Sequence, residues 1–414
     1  MREMKDSGIQ WVGVMPNSWK IVKFKYICSI KANLVDVNSY KEYPQISPDN
    51  IAKDSGVLLN YNTVEESGVI SDNHLFYKGQ IIYSKIRPKL NKAVIAPFDG
   101  LCSADMYPIE TTEYTKFILY AFLSQYFLNQ VVLKTEDRVK MPKINQDELG
   151  EILVVLPPLY EQQQITDFLD KKCSEIDSLI SDIQKQIDTL EDYKRSVITE
   201  AVTKGLDRDV EMRDSGIAWV GEIPTHWTLI RIGSLYGLRT QKVSDIDYPP
   251  LSVTKMGVLP QLDTVAKTNA HDDRKLVVKG DFVINSRSDR RGSCGISDYT
   301  GSVSLINTVL YPITEMNPRY YNWYFHTVGF ADEFYRWGHG IVDDLWTTGW
   351  QDMKNILISV PPLDEQQQIA DYLDSKCAEI DSIIADKKQQ IETIEEYKKS
   401  LIFEYVTGKK EVQA

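Results

Sequence analysis

The sequence predicts an α+β fold: two globular mixed-sheet domains joined by two long helices that form an intramolecular antiparallel coiled coil, pseudo-two-fold symmetric. Three observations predict it. First, the 414-residue chain repeats itself, PPLYEQQQITDFLDKKCSEIDSLI from Pro157 and PPLDEQQQIADYLDSKCAEIDSII from Pro361, with 30 of 47 positions identical through Thr203 and Thr407. Second, a shorter echo precedes each copy, DSGIQWVGVMPNSW over Asp6–Trp19 and DSGIAWVGEIPTHW over Asp214–Trp227. Third, the segments between these echoes have similar lengths but little shared sequence, and both mix short β-like runs with turns. Two alike frames therefore carry two unlike inserts.

The repeated block reads as a helix with a start signal. Paired prolines cannot continue a preceding helix or strand, and the EQQQ run after them is a good helix former. Apolar residues then recur at Ile165, Leu169, Cys173, Ile176, Ile180, Ile183, Ile187 and Leu190, and in the copy at Ile369, Leu373, Cys377, Ile380, Ile384, Ile391 and Ile394, with Lys387 once on the seam. Alternating steps of three and four are a coiled-coil seam. A helix of about 40 residues rises roughly 60 Å, too long for one small domain to bury. Its seam needs a partner, and its own copy is the nearest. The antiparallel choice keeps the inserts from crowding at one end. A coiled coil that only dimerises with another chain is the plainer alternative. In the echoes, Trp11, Trp19, Trp219 and Trp227 are expected as cover for the insert cores.

Charge and cysteine usage narrow the class. The net charge of −12 looks wrong for a nucleic-acid binder until it is divided along the chain. Residues 20–156 carry 16 basic and 16 acidic side chains, residues 225–360 carry 14 and 14, and the repeated helical segments hold most of the excess. The inserts are neutral and the frame is acidic. Five scattered cysteines without a CxxC spacing read as reduced structural thiols. No apolar run approaches a membrane span and MREMKDSG has no signal core, so a cytoplasmic protein with no membrane contact is expected.

The inserts share a local plan: a strand-like lead, a glycine turn, another strand, then a basic polar segment. In the first this is YKGQIIYSKIRPKLNKAVIA, with Lys85, Arg87, Lys89, Asn91 and Lys92. In the second it is VKGDFVINSRSDRRGSCGIS, with Asn285, Ser286, Arg287, Ser288, Arg290 and Arg291. Such side chains grip phosphates and base edges, and basic loops at matching places strengthen that reading over a merely solvated surface. A later turn-rich segment in each insert, Glu136–Lys143 with Lys140 and Lys143, and Gly338–Trp346, is a second candidate contact loop. One aromatic helical patch in each, Tyr114–Leu128 and Tyr320–Trp337, reads as core.

No catalytic constellation stands out. His74, His226, His271, His326 and His339 have no HxxxH or HxH spacing, and no P-loop or GxSxG elbow occurs. Asn317-Pro-Arg-Tyr320 faintly resembles a base-clamping NPPY tetrad, but the second proline is arginine and no glycine-rich cofactor loop precedes it. A binder and organiser is expected, not an enzyme.

The DSGIxWVGxxPxxW lead, the strand-glycine-strand-basic inserts and above all PPLxEQQQIxDxLDxKCxEIDSxI in both halves resemble the specificity subunits of type I restriction–modification systems, across essentially the whole chain. The resemblance implies target-recognition domains over residues 1–156 and 207–360, a central coiled-coil helix over 157–206, and a C-terminal helix and tail over 361–414. It implies that each domain reads one half of a split double-stranded DNA site, that the helices set the unread gap, and that two adenine methyltransferase subunits and two motor-nuclease subunits are the partners. S-adenosylmethionine, ATP and Mg would then bind those partners and not this chain. A coiled-coil scaffold that reads no DNA is the alternative.

Overall fold

A computed structural model describes residues 2–138, 140–261, 273–340 and 346–412. The chain divides into two compact units, Met1–Ile183 with Lys388–Ala414, and Gln184–Lys387. Among the described residues no helix is long and apolar enough to cross a membrane.

In the first unit an antiparallel four-stranded sheet runs in the order Ala93–Ile95, Ile81–Ser84, Met106–Thr111, Cys28–Ile30. Beside it lies a five-stranded sheet ordered Leu34–Val35, Asn73–Phe76, Gly100–Cys102, Pro44–Ile46, Asn62–Thr63, with one parallel pair, Gly100–Cys102 on Pro44–Ile46. The second unit repeats the plan. Cys294–Ile296, Phe282–Asn285, Asn307–Pro312 and Tyr236–Leu238 form the four-stranded sheet, and Lys242–Val243, Arg274–Val277 and Gly301–Ser304 a three-stranded one. Little shared sequence thus encodes one topology, because the central strands are buried on both faces and ask only for short apolar and β-branched runs, which many sequences supply.

The aromatic patches form core, but each is two helices and not one. The first breaks at Ser124 between Thr115–Leu123 and Gln125–Thr135. The second breaks between Pro318–Phe325 and Val328–Arg336, where the Thr327 hydroxyl accepts from the Phe330 N–H and starts a new helix. Phe117, Phe122 and Phe127 are buried in one unit, and Tyr320, Tyr321, Tyr324 and Phe325 in the other. A short hairpin brackets the start of each DSGI echo: Met4–Asp6 with Val14–Pro16, and Met212–Asp214 with Glu222–Pro224.

The two repeats are single long helices, Leu159–Lys204 and Leu363–Val406. They pack together in opposite directions within each unit. In the first unit Phe168 meets Tyr405 at 4.5 Å between ring centroids, and Asp177 accepts from Lys398 at 2.6 Å. In the second unit Lys387 donates to Gln186 at 2.6 Å and Lys194 to Asp381 at 2.7 Å. Residue numbers rise on one helix as they fall on the other. The seam residues Ile165, Leu169, Cys173, Ile183, Ile187, Ile369, Leu373, Cys377 and Ile384 are buried, and the seam lysine Lys387 is satisfied by the Gln186 amide.

The EQQ of each repeat has a structural task. Trp19 and Trp227 are each 1% exposed, and their indole N–H groups donate to Glu161 at 3.0 Å and Glu365 at 2.9 Å. Gln162 accepts from the Tyr114 N–H and donates to the Pro157 carbonyl, and Gln366 accepts from the Asn317 N–H and donates to the Pro361 carbonyl. One motif thereby ties the echo, the aromatic helices and the helix start together. These buried polar groups are all paired, as burial demands.

Candidate nucleic-acid interface

Both basic segments fall on the same connection of the same topology. In the first unit the loop joins Ile81–Ser84 to its antiparallel neighbour Ala93–Ile95, and in the second it joins Phe282–Asn285 to Cys294–Ile296. The later candidate segments come to the same places. The Arg87 N–H donates to the Pro142 carbonyl and the Ile144 N–H to the Lys85 carbonyl, both at 2.9 Å, so Lys140 and Lys143 lie on the chain stitched to the basic loop. In the second unit the Thr348 N–H donates to the Ser286 carbonyl at 3.0 Å and Arg287 bridges to Thr347, which also pairs with His339. Val139, Ile341–Leu345, His271 and the Ser288 side chain lie outside the described residues.

The first loop is held in an unusual backbone. Arg87, Asn91 and Met141 adopt left-handed φ values of 47°, 44° and 48°. Non-glycine residues rarely do so, and they persist there only when surrounding contacts over-determine them. Here a one-turn helix over Pro88–Leu90 and the stitched strand supply those contacts.

The sequence-selected residues divide into two groups. Several spend their polar atoms on the fold. Asn91 is 2% exposed and its amide donates to the Leu123 carbonyl. Lys85 donates to the Ala104 carbonyl and lies 5.1 Å from the Tyr107 ring centroid, and Lys92 donates to the Pro48 carbonyl. Asn285 is buried and accepts from the Arg287 N–H, while the Ser286 hydroxyl shares a hydrogen bond with Thr308. Arg291 pairs with Asp332 and stacks over Tyr335. The others project. Arg87, Lys89, Lys140, Lys143 and Arg287 are exposed and their side chains find no hydrogen-bond or ion-pair partner among the described residues. Arg290 is exposed, and among the described residues its side chain pairs with Asp289 alone, at 3.7 Å.

Burial, and secondarily the Lys85 ammonium, hold His74 below the usual imidazole range. Burial raises the Cys28 and Cys294 thiols to about 12, which makes them inert structural groups. Asn317 proves to be a helix cap: its carbonyl oxygen accepts from the Arg319 and Tyr320 N–H groups, and Arg319 pairs with Asp371 and Asp374. Under the second loop, a cavity of about 20 Å³ lined by Arg287, Phe330, Phe334 and Trp346 has room for about one water and none for an extruded base. Among the described residues no cluster of His, Cys, Asp or Glu could hold a metal ion.

The sequence profile described as "Type I restriction modification DNA specificity domain" matches residues 16–189 and again 226–393. The chain belongs to this family. A 187-residue stretch is 36% identical to the type I restriction enzyme EcoDI specificity subunit of Escherichia coli, covering 45% of this chain and 42% of that protein, so this match spans under half of the relative. The putative type I restriction enzyme MjaX specificity subunit of Methanocaldococcus jannaschii is 25% identical over 437 residues, covering 96% of this chain and 95% of the relative. Among solved structures, a chain from a study of complex assembly and conformational transition of the type I R-M system aligns at a TM-score of 0.72 and 16% identity, over 95% of this chain and 99% of that one. The HsdS subunit from Thermoanaerobacter tengcongensis aligns at 0.51 and 17%, over 95% and 98%. At these identities the structural matches establish the fold.

Sequence reasoning passed over one exposed cation beside the second loop, Lys255. A Lys-Met-Gly turn between two β-like runs was the signal available for it.

Proposed function

We propose that this chain is the non-catalytic DNA-recognition subunit of a type I restriction–modification complex, each unit reading one half of a bipartite double-stranded site. The observation that carries the proposal is the repeated construction of the basic loop. In both units one strand-to-strand connection offers exposed arginine, Arg87 in the first and Arg287 and Arg290 in the second, and a second segment is hydrogen-bonded alongside it. Cations facing outward without internal partners suit phosphate contact, and arginine suits the guanine edge. Residues 1–156 and 207–360 act as target-recognition domains. The helices over 157–206 and 361–414 act as a coiled-coil spacer whose length sets the unread gap. Their acidic surface suits a frame that docks two methyltransferase subunits, with two motor-nuclease subunits joining, and not a DNA groove. S-adenosylmethionine, ATP and Mg belong to those partners.

Sequencing modified adenines in the host genome with and without the gene is the primary test. A split motif that vanishes with the gene is expected. If no methylation motif depends on the gene, the reading fails and the coiled-coil scaffold alternative takes its place.

A further inference from the structure

We propose that the Lys255–Met256 turn of the second unit is a third DNA-contact element, Lys255 taking a backbone phosphate and Met256 packing on a thymine methyl in the major groove. This rests on the DNA-reading role just proposed. The turn closes the hairpin between Leu251–Thr254 and Gly257–Pro260. Met256 stands at its tip, 85% exposed. Isolated exposed apolar side chains are common on proteins, so exposure alone decides nothing. What decides is where the turn is held and how firmly.

The tip is locked from inside. The Thr254 hydroxyl accepts from the Met256 N–H at 3.1 Å and donates to the Gly257 carbonyl at 3.0 Å. It is also clamped to the recognition loop. A Cβ on Gly295 would lie 2.9 Å from the Gly257 Cα, so the two backbones touch where no side chain fits. Gly295 sits two residues past Ser293, the end of the basic loop. The turn is therefore fixed at the base of the loop that offers Arg287 and Arg290. Lys255 is exposed, with no partner among the described residues.

The first unit has a hairpin at the corresponding place in its topology, marked by the Ile51–Leu58 bridge, and there the tip is tied down. Asp54 reaches Lys399 at 3.6 Å, and Gly56 packs on Leu119 and Leu123. The first hairpin also exposes Val57 and Leu59, but on its flank, and its tip cation Lys53 faces Asp54; the second presents a cation with no partner among the described residues and an apolar side chain at the tip itself. The C5-methyl of thymine is the apolar feature that the major groove offers, and the flexible, polarisable methionine side chain fits such a contact.

The test uses the full chain in its complex with the methyltransferase subunits, on duplexes containing the genomically mapped site. Each thymine is replaced in turn by deoxyuridine, which removes only the methyl. The wild-type complex should lose about fivefold in affinity at one thymine of the half-site read by the second unit, the worth of one buried methyl. Met256→Ser should abolish that sensitivity at that thymine alone. Lys255→Ala should weaken all duplexes alike and lower the salt slope by about 1. If Met256→Ser keeps the wild-type response at every thymine, or no thymine matters, the assignment of Met256 is overturned. Arg287→Ala and Arg290→Ala separate the two levels. If they relax base preference while Met256→Ser changes nothing, only the turn's role falls; if they too leave every preference intact, the recognition reading falls with it.

Discussion

The two units repeat one another where they join the long helices and differ where they face outward. Trp19 on Glu161 and Trp227 on Glu365, Gln162 on Tyr114 and Gln366 on Asn317, are the same bonds made twice, within about 0.1 Å. At the basic loops the correspondence stops at topology. The first loop and the segment stitched to it use three left-handed residues and leave one arginine and three lysines projecting; the second loop has arginines, one of them tied to Asp332. Buried bonds tolerate few substitutions because each lost partner strands another group. Exposed loop side chains carry no such penalty, so residues there are free to diverge.

If the frame is energetically as well as geometrically doubled, Trp19→Ala and Trp227→Ala should each cost about 3–5 kcal/mol and agree within about 1 kcal/mol in urea denaturation. A large inequality would break the equivalence. Differences between the loops should appear next. Arg287→Ala or Arg290→Ala, at a base edge, should cost about 1–3 kcal/mol on the mapped site and relax preference at one position. Lys89→Ala, Lys140→Ala or Lys143→Ala should each weaken binding evenly across sequences and reduce the salt slope by about 1.

A smaller contrast is one of pH. His74 is held below its usual range by burial, so the unfolded chain protonates first as pH falls. The stability is fully present above about pH 6.5, declines as pH drops through the window below it, and levels off under the folded value. The second unit has Lys275 at the corresponding register, also held down by burial, but a lysine's ordinary range lies well above this window. Thermal denaturation against pH should therefore shift for the first unit alone, and His74→Gln should flatten it. Smallest of all, Lys398→Ala and Lys194→Ala, which break equivalent ion pairs between the helices, should each cost no more than about 1 kcal/mol.

The sequence made the frame plain because its signals are local and duplicated: a three-four seam, paired prolines and tryptophans at fixed offsets. The common topology of the inserts was not legible, since most of these short buried strands pair through contacts tens of residues apart. The candidate interface was half legible. Basic residues could be counted, but the carbonyls of Ala104, Pro48 and Leu123, which engage Lys85, Lys92 and Asn91, are distant in sequence. The joining of Lys85–Arg87 to Pro142–Ile144 is equally non-local.

The first unit includes Lys388–Ala414, and Lys409 at the far end of the chain donates to the Val12 and Val14 carbonyls, at 2.5 Å and 2.6 Å. The second unit is one unbroken stretch. A ribosome emits the chain from its N-terminal side, so Met1–Ile183 is made well before Lys388–Ala414, the helix that completes its unit, can arrive. During that wait an apolar helix face stands uncovered, and a nascent chain of this build is more exposed to misassembly in the discontinuous unit than in the continuous one.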